Sequence, residues 1–206
     1  MTLVKVCGIS DPESAAVAVD SGADMVGVIF APSRRQVTVD DARAIRARVP
    51  AGTQLVGVFV DADTDEVNRI AEQVGLDLVQ LSGTETLDDI NRIERGVIKV
   101  VHLRTGIDPT GEVARFVDVA AHVLLDTYTP DAAGGSGVTG DWAAARSCAD
   151  SFPVMLAGGL TPDNVSDALD ATGAAGVDVS SGVERDGAKD PDLIRAFIHA
   201  ATRTRA

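Results

Sequence analysis

Two side chains capable of acid–base chemistry each end a short apolar run. Cys7 closes LVKVC and stands directly before a glycine, and Asp126 closes HVLLD. A thiol acts as a general base or a nucleophile only when its surroundings favour the thiolate, and a carboxylic acid can deliver a proton to a breaking bond. A buried free cysteine is more often a small apolar side chain, and an aspartate after a strand often caps a helix. Both residues are therefore candidates whose role depends on their context.

Two turns late in the chain have the composition of an anion site. Gly158-Gly159 lies in LAGGL, and Ser180-Ser181-Gly182 lies in VSSGVE. Glycines and small hydroxyl residues let backbone N–H groups approach a phosphate. Glycines also serve in tight turns without any ligand, but two such turns after consecutive predicted strands favour a phosphate site.

The elements that must position these residues alternate regularly. Short β-branched runs of the kind found in buried parallel strands recur eight times, separated by segments with helical spacing. Prolines after Asp11, Thr161 and Asp190 predict the starts of three helices. The predicted strands cover residues 3–7, 24–30, 54–60, 77–81, 97–103, 122–126, 153–157 and 176–180.

Eight strand–helix units in 206 residues predict a single-domain (βα)8 TIM barrel over residues 1–206, with a parallel eight-stranded barrel and outer helices. An open doubly wound sheet is the alternative, but it would more often have a glycine-rich turn after its first strand. Residues 104–121 contain two glycines and a proline, so the fifth unit has room for only a short helix.

A barrel of this kind forms its active site at the carboxyl ends of its strands. That rule collects Cys7, Asp126 and the two turns at one mouth, and it adds Gln80 and Asp178 from the fourth and eighth strands. The long connection 127–140 is expected to close over a ligand and exclude water. Its glycine-rich part contains Gly134, Gly135 and Ser136.

Composition limits the partners. The formal net charge of −13 argues against nucleic acid, and no apolar run is long enough to span a membrane. No leader-like segment opens the sequence, so we expect a cytoplasmic protein. Two distant cysteines without metal-ligand spacing predict free thiols and no metal site. The excess of Asp over Glu and the presence of only three lysines suggest adaptation to high salt, although an ordinary acidic protein from a GC-rich genome is the alternative.

The motifs together resemble the phosphoribosylanthranilate isomerase family of tryptophan biosynthesis. The similarity runs from Val4 to about Phe197 and is carried by VKVCGIS, GADMVGVIFAPSRRQV, VGVFV, VQLSG, LLDTYTPDAAGGSGVTGDW, LAGGLTPDNV and GVDVSSGVE. Each motif alone is weak, but their order and spacing are specific.

The resemblance implies a cofactor-free Amadori rearrangement of a small phosphorylated substrate, N-(5′-phosphoribosyl)anthranilate. Cys7 matches the general base of the family and Asp126 its general acid, and a base at Cys7 requires a thiol of lowered pKa. Arg35 matches the arginine that binds the anthranilate carboxylate, and Asp178 matches a carboxylate near the anthranilate amine. The two glycine-rich turns would hold the phosphate, and the oligomeric state stays open.

One departure concerns the fourth strand, where the family usually has VQLHG and this chain has VQLSG. Either that histidine is dispensable, or Ser82, water or His102 replaces its hydrogen bond. Other phosphate-binding barrels are weaker candidates. An indole-glycerol-phosphate synthase would bring lysine and glutamate to its strand ends, and a histidine-pathway isomerase would have aspartate in place of Cys7. A barrel that has lost catalysis and only binds a phosphorylated ligand is the remaining alternative.

Overall fold

The computed structural model describes residues 2–104, 106–126 and 141–203, and these residues form a closed barrel of eight parallel strands in sequential order. The first strand also pairs with the eighth, which closes the barrel. The strands are β1 (Leu3–Cys7), β2 (Met25–Ile29), β3 (Gln54–Phe59), β4 (Leu78–Leu81), β5 (Gly96–His102), β6 (His122–Asp126), β7 (Val154–Ala157) and β8 (Gly176–Val179).

A helix follows each strand and packs outside the barrel. The helices are α1 (Pro12–Asp20), α2 (Val39–Arg46), α3 (Thr64–Val74), α4 (Leu87–Arg92), α5 (Thr110–Ala114), α6 (Trp142–Ala149), α7 (Val165–Thr172) and α8 (Pro191–Arg203). A short hairpin of β9 (Glu184–Arg185) and β10 (Ala188–Lys189) precedes α8.

Local sequence explains where most of these helices begin and end. Asp11 caps α1 by accepting a hydrogen bond from the backbone N–H of Ser14 at 2.7 Å, and Gly75 ends α3 in the left-handed conformation that glycine adopts without strain. The predicted start of the seventh helix at Thr161-Pro162 is wrong. Helix α7 begins at Val165, because the side chain of Asn164 accepts the N–H of Thr161 and holds the preceding residues in a turn.

The inside of the barrel is filled by apolar side chains below the carboxyl ends of the strands. Successive strand residues point alternately inward and outward, so the inward positions form one packed cluster and the outward positions pack against the helices. A packed interior is not a pore, so a ligand is expected at the carboxyl ends of the strands. The interior cluster consists of Met25, Val56, Leu78, Ile98, Val100, Leu124, Met155 and Ala157.

The barrel and its closed strand order confirm the predicted fold, and the doubly wound sheet is excluded. The fifth unit contains only the five-residue helix α5, as its glycines and proline predicted. Among the described residues, no helix is both long and apolar enough to cross a membrane.

Candidate active site

A cavity of about 530 Å³ opens at the carboxyl ends of the strands, a volume suited to a small organic ligand. It joins residues that are distant in sequence, from the loop after β2 and from β6, β7, β8 and the turns that follow β7 and β8. The predicted site residues that line it are Arg35, Asp126, Gly158, Gly159, Asp178, Ser180, Ser181 and Gly182.

The two glycine-rich turns form one wall of this cavity. Gly158 and Gly159 both have positive φ, at 92° and 66°, and Asn164 donates a hydrogen bond to the carbonyl of Gly159 at 3.0 Å. A methyl group on Gly182 would lie 1.8 Å from the carbonyl oxygen of Leu160, so only glycine lets the two turns pack this closely. At their glycines the turns therefore present bare backbone to a ligand.

Buried polar atoms beside the cavity are without hydrogen-bond partners. The Oδ1 atom of Asp178 and the Oγ atom of Ser180 are both buried and unpartnered, and both residues line the cavity. Gln80 also has a buried, unpartnered Oε1, but it lies outside the cavity lining and donates from Nε2 to Ser82. Buried polar groups are nearly always satisfied, so the first two atoms are available for hydrogen bonds to a polar ligand or to water at this wall.

Cys7 lies behind the cavity and does not line it. The residue is 5% exposed, and a methyl group on the adjacent Gly8 would lie 2.6 Å from Cδ of Arg35 and 3.0 Å from Oγ of Ser180. Gly8, the residue after Cys7, thus lies against two residues of the cavity wall, Arg35 and Ser180. Burial raises the pKa of the Cys7 thiol, although the charge of Lys5 opposes this increase. The expectation of a lowered pKa is therefore wrong.

Lys5 lies within β1, two residues before the end of the strand, so the strand-end rule does not select it. It is fully buried, and its Nζ donates to Oδ2 of Asp178 at 3.0 Å. The parallel pairing of β1 with β8 sets Lys5 directly beside Asp178. Burial opposes the ammonium charge, but the charges of Asp178 and Cys7 raise the pKa of Lys5 above its usual value.

A second set of charges surrounds Glu184 next to the cavity. Arg35 donates from Nε at 2.5 Å, Lys189 from Nζ at 3.2 Å, and Arg34 pairs with the other carboxylate oxygen. Burial opposes ionisation, but these cations lower the pKa of Glu184 to about 2. Lys189 also donates to the carbonyl of Ser180 at 2.8 Å. Glu184 therefore connects the arginine loop after β2 to the turn after β8.

Asp126 lies on the far side of the cavity from these charges. The Nδ1 atom of His102 is 3.6 Å from its Oδ2, which is a charge contact beyond hydrogen-bond distance. Nε2 of His102 lies 3.0 Å from the carbonyl oxygen of Ser82. Interaction with Asp126 raises the pKa of the His102 imidazole. His102 thus connects the backbone at position 82, whatever the side chain there, to the candidate acid.

The proposed loop residues Gly134, Gly135 and Ser136 lie outside the described residues, as does the whole of 127–140. Within the described ranges, no group of three or more His, Cys, Asp or Glu side chains is arranged to hold a metal ion.

Comparison with known proteins agrees with this geometry. Residues 4–200 match the family model described as N-(5′phosphoribosyl)anthranilate (PRA) isomerase. The N-(5′-phosphoribosyl)anthranilate isomerase of Desulforudis audaxviator is 45% identical over 202 residues, which are 98% of each chain.

Solved structures show the same likeness. The phosphoribosyl anthranilate isomerase of Thermotoga maritima superimposes with a TM-score of 0.90 at 39% identity, over 98% of this chain and 100% of that one. Another structure, in complex with reduced 1-(o-carboxyphenylamino)-1-deoxyribulose 5-phosphate, gives a TM-score of 0.86 at 36% identity over the same shares. The chain belongs to the N-(5′-phosphoribosyl)anthranilate isomerase family.

Proposed function

We propose that this protein converts N-(5′-phosphoribosyl)anthranilate into 1-(2-carboxyphenylamino)-1-deoxyribulose 5-phosphate, a step of tryptophan biosynthesis, in the cytoplasm and without metal or cofactor. The observation that carries the proposal is the cavity that joins Asp126 to two glycine-rich turns in a chain of this family. The reaction oxidises C2′ and reduces C1′ of one sugar, so it is an intramolecular oxidation–reduction.

The first step opens the furanose ring. Asp126 donates its proton to the ring oxygen as the C1′–O bond breaks, and the anthranilate nitrogen supplies the electron pair that forms the Schiff base. Asp126 ends β6 and is partly exposed to the cavity, so a proton on its carboxyl group can reach a sugar bound there.

The second step removes the proton from C2′, which the adjacent Schiff base makes acidic. The thiolate of Cys7 takes this proton, and the electron pair of the C–H bond forms the enolamine. Protonation at C1′ and loss of the 2′-hydroxyl proton then give the ketone. Cys7 and Asp126 end strands β1 and β6, which are separated by β7 and β8. Because Cys7 lies just behind the cavity wall, this step requires the bound sugar to reach the thiol from the cavity.

The two anionic ends of the substrate have separate anchors. The turns at Gly158-Gly159 and Ser180-Ser181-Gly182 hold the phosphate through backbone N–H groups and the Ser180 hydroxyl, while Arg35 binds the anthranilate carboxylate. The free Oδ1 of Asp178 accepts the N–H of the anthranilate amine. These contacts fix the sugar between the acid and the base.

The test follows consumption of freshly prepared phosphoribosylanthranilate by fluorescence, in low salt and in molar KCl. Cys7→Ser and Asp126→Asn should each lower kcat by about 10²–10⁴-fold with little change in KM. Cys148→Ser is the matched control, because Cys148 is also buried but lies in α6 beside Thr110. No turnover by the parent enzyme in either salt would refute the function, and near-normal kcat in Cys7→Ser or Asp126→Asn would refute the roles.

A barrel that only binds phosphorylated ligands is the alternative, and Ser82 in place of the family histidine is the feature that favours it. Tight binding of the reduced product analogue without any turnover would support this alternative.

A further inference from the structure

Lys5 is a charged residue in a region built to be apolar. Residues two apart in a strand point to the same side, so Lys5 and Cys7 both face the inside of the barrel. The Lys5 side chain is completely buried. Transferring an ammonium group into such an interior is costly unless anions compensate for the lost water. An apolar side chain at this position would fill the same space without that cost.

The side chains of Lys5 and Cys7 both lie against Gly27 and fill the space that a side chain there would need. A methyl group on Gly27 would lie 2.9 Å from Sγ of Cys7 and 3.2 Å from Nζ of Lys5. Strand pairing aligns Gly27 with Cys7, so the absence of a side chain there leaves space in which the ammonium and the sulfur face each other. The ammonium of Lys5 therefore has Asp178 on one side and Cys7 on the other.

We propose that Lys5 is a positioning residue for Cys7: its ammonium, anchored by Asp178, stabilises the thiolate that takes the C2′ proton. The inference rests on the proposed function and names the group that makes the base available. Lys5 stays protonated throughout, and the thiol proton leaves to solvent before the substrate proton arrives. Asp178 has two effects, since it holds the ammonium in place and also competes with the thiolate for its charge.

The charges facing Cys7 determine the sign of each expected change. Lys5 and Lys189 favour the thiolate, whereas Asp178 disfavours it, and Asp126 acts on Asp178 from across the cavity. Removing the ammonium must therefore raise the pKa of Cys7, and removing the carboxylate of Asp178 must lower it. If Lys5 served only to neutralise Asp178, these two removals would not shift the pKa of Cys7 in opposite directions.

The experiment titrates Cys7 in ligand-free enzyme by the ultraviolet absorbance of the thiolate. A Cys148→Ala background removes the other thiol, and adding Cys7→Ser to it gives the blank. Lys5→Met should raise the pKa of Cys7 by about 1–3 units, and Asp178→Asn should lower it. Lys5→Met leaves Asp178 buried and unpaired, which can prevent this variant from folding; the double variant Lys5→Met/Asp178→Asn has no such unpaired charge. The pKa of Cys7 in the double variant should be well above that in Asp178→Asn alone.

Turnover provides an independent readout. The acid limb of kcat/KM against pH should move upward in Lys5→Met by the same amount as the thiol titration, so activity should partly return at alkaline pH. Equal Cys7 titrations in Asp178→Asn and in the double variant would overturn the proposal, whatever the activities. A parent enzyme without turnover would refute the proposed function, while the titration would still report on the coupling of Lys5 to Cys7.

Discussion

Glu184→Gln tests how the charges beside the cavity are held together. The Glu184 side chain is 6% exposed and is the shared partner of Arg34, Arg35 and Lys189. Glutamine keeps the size of the side chain and one acceptor oxygen but removes the negative charge. The variant leaves three cations close together without their common anion, so we expect both stability and substrate binding to decrease.

The magnitude follows from the pKa of this carboxyl group. A shift from 4.5 to about 2 corresponds to about 3 kcal/mol of folding free energy at neutral pH, reduced to about 2–3 kcal/mol because Arg34 is half exposed to solvent. The folded-state pKa is lowered, so this contribution is present above the unfolded pKa and is lost as pH falls. By pH 3 the parent should have lost about 2 kcal/mol of it relative to the variant.

The assay is urea unfolding of parent and variant from pH 7 to pH 3, with KM measured at pH 7. Glu66→Gln is the matched control, because Glu66 pairs with Arg69 at 3.7 Å on an exposed helix surface and should contribute about 0–1 kcal/mol. KM should rise in Glu184→Gln, since Arg35 loses the carboxylate that orients it. A difference in unfolding free energy that stays constant from pH 7 to pH 3 would refute the assignment of the charges.

Three further predictions concern the turn, the histidine and the surface. Gly182→Ala places a methyl group against the carbonyl of Leu160 and should raise KM and weaken inhibition by inorganic phosphate, whereas Gly111→Ala, with open space around it, should change neither. His102→Gln should reduce stability below about pH 6.5, where the imidazole is charged beside Asp126, and the difference should fade as pH rises through the raised pKa of His102; a pH-independent difference would contradict the contact. Molar KCl should raise Tm by screening the net charge of −13, and an unchanged Tm and activity would contradict the high-salt interpretation.

The parts of the fold that sequence predicts are those whose signal is local. Eight aliphatic runs and their helix caps specify the barrel, and the strand-end rule then identifies Asp126 and the two glycine-rich turns that line the cavity. The same rule selects Cys7, which does end its strand. In the structure, however, Cys7 lies behind the wall of the cavity. The rule cannot show the pKa of the thiol, because burial and neighbouring charges depend on the folded structure.

Local sequence patterns do not predict contacts between residues that are distant in the chain. Lys5 and Asp178 are 173 positions apart, and Arg35 and Glu184 are 149 apart, so no spacing rule connects them. A usable signal did exist in the alternation of β1, since a lysine two residues before Cys7 must face the same interior. A charged residue on an inward position of a barrel strand requires a partner, and the partner could have been sought at Asp178 on the neighbouring strand.

The three lysines of the chain connect its surface composition to its chemistry. Lys5, Lys99 and Lys189 have side chains that are 0%, 3% and 2% exposed, and each pairs with a buried carboxylate. The exposed cations of the described surface are therefore arginines, and all three lysine side chains are buried. Two of the three favour the thiolate of Cys7, while Lys99 pairs with Glu85 and donates to the carbonyl of Gly83 in the loop after β4. The short-range charges that act on the Cys7 thiol are those of Lys5, Lys189 and the buried carboxylate of Asp178, whereas the surface carboxylates act through water and salt. The balance of these buried groups, and not the net charge of the protein, therefore controls the pKa of this thiol.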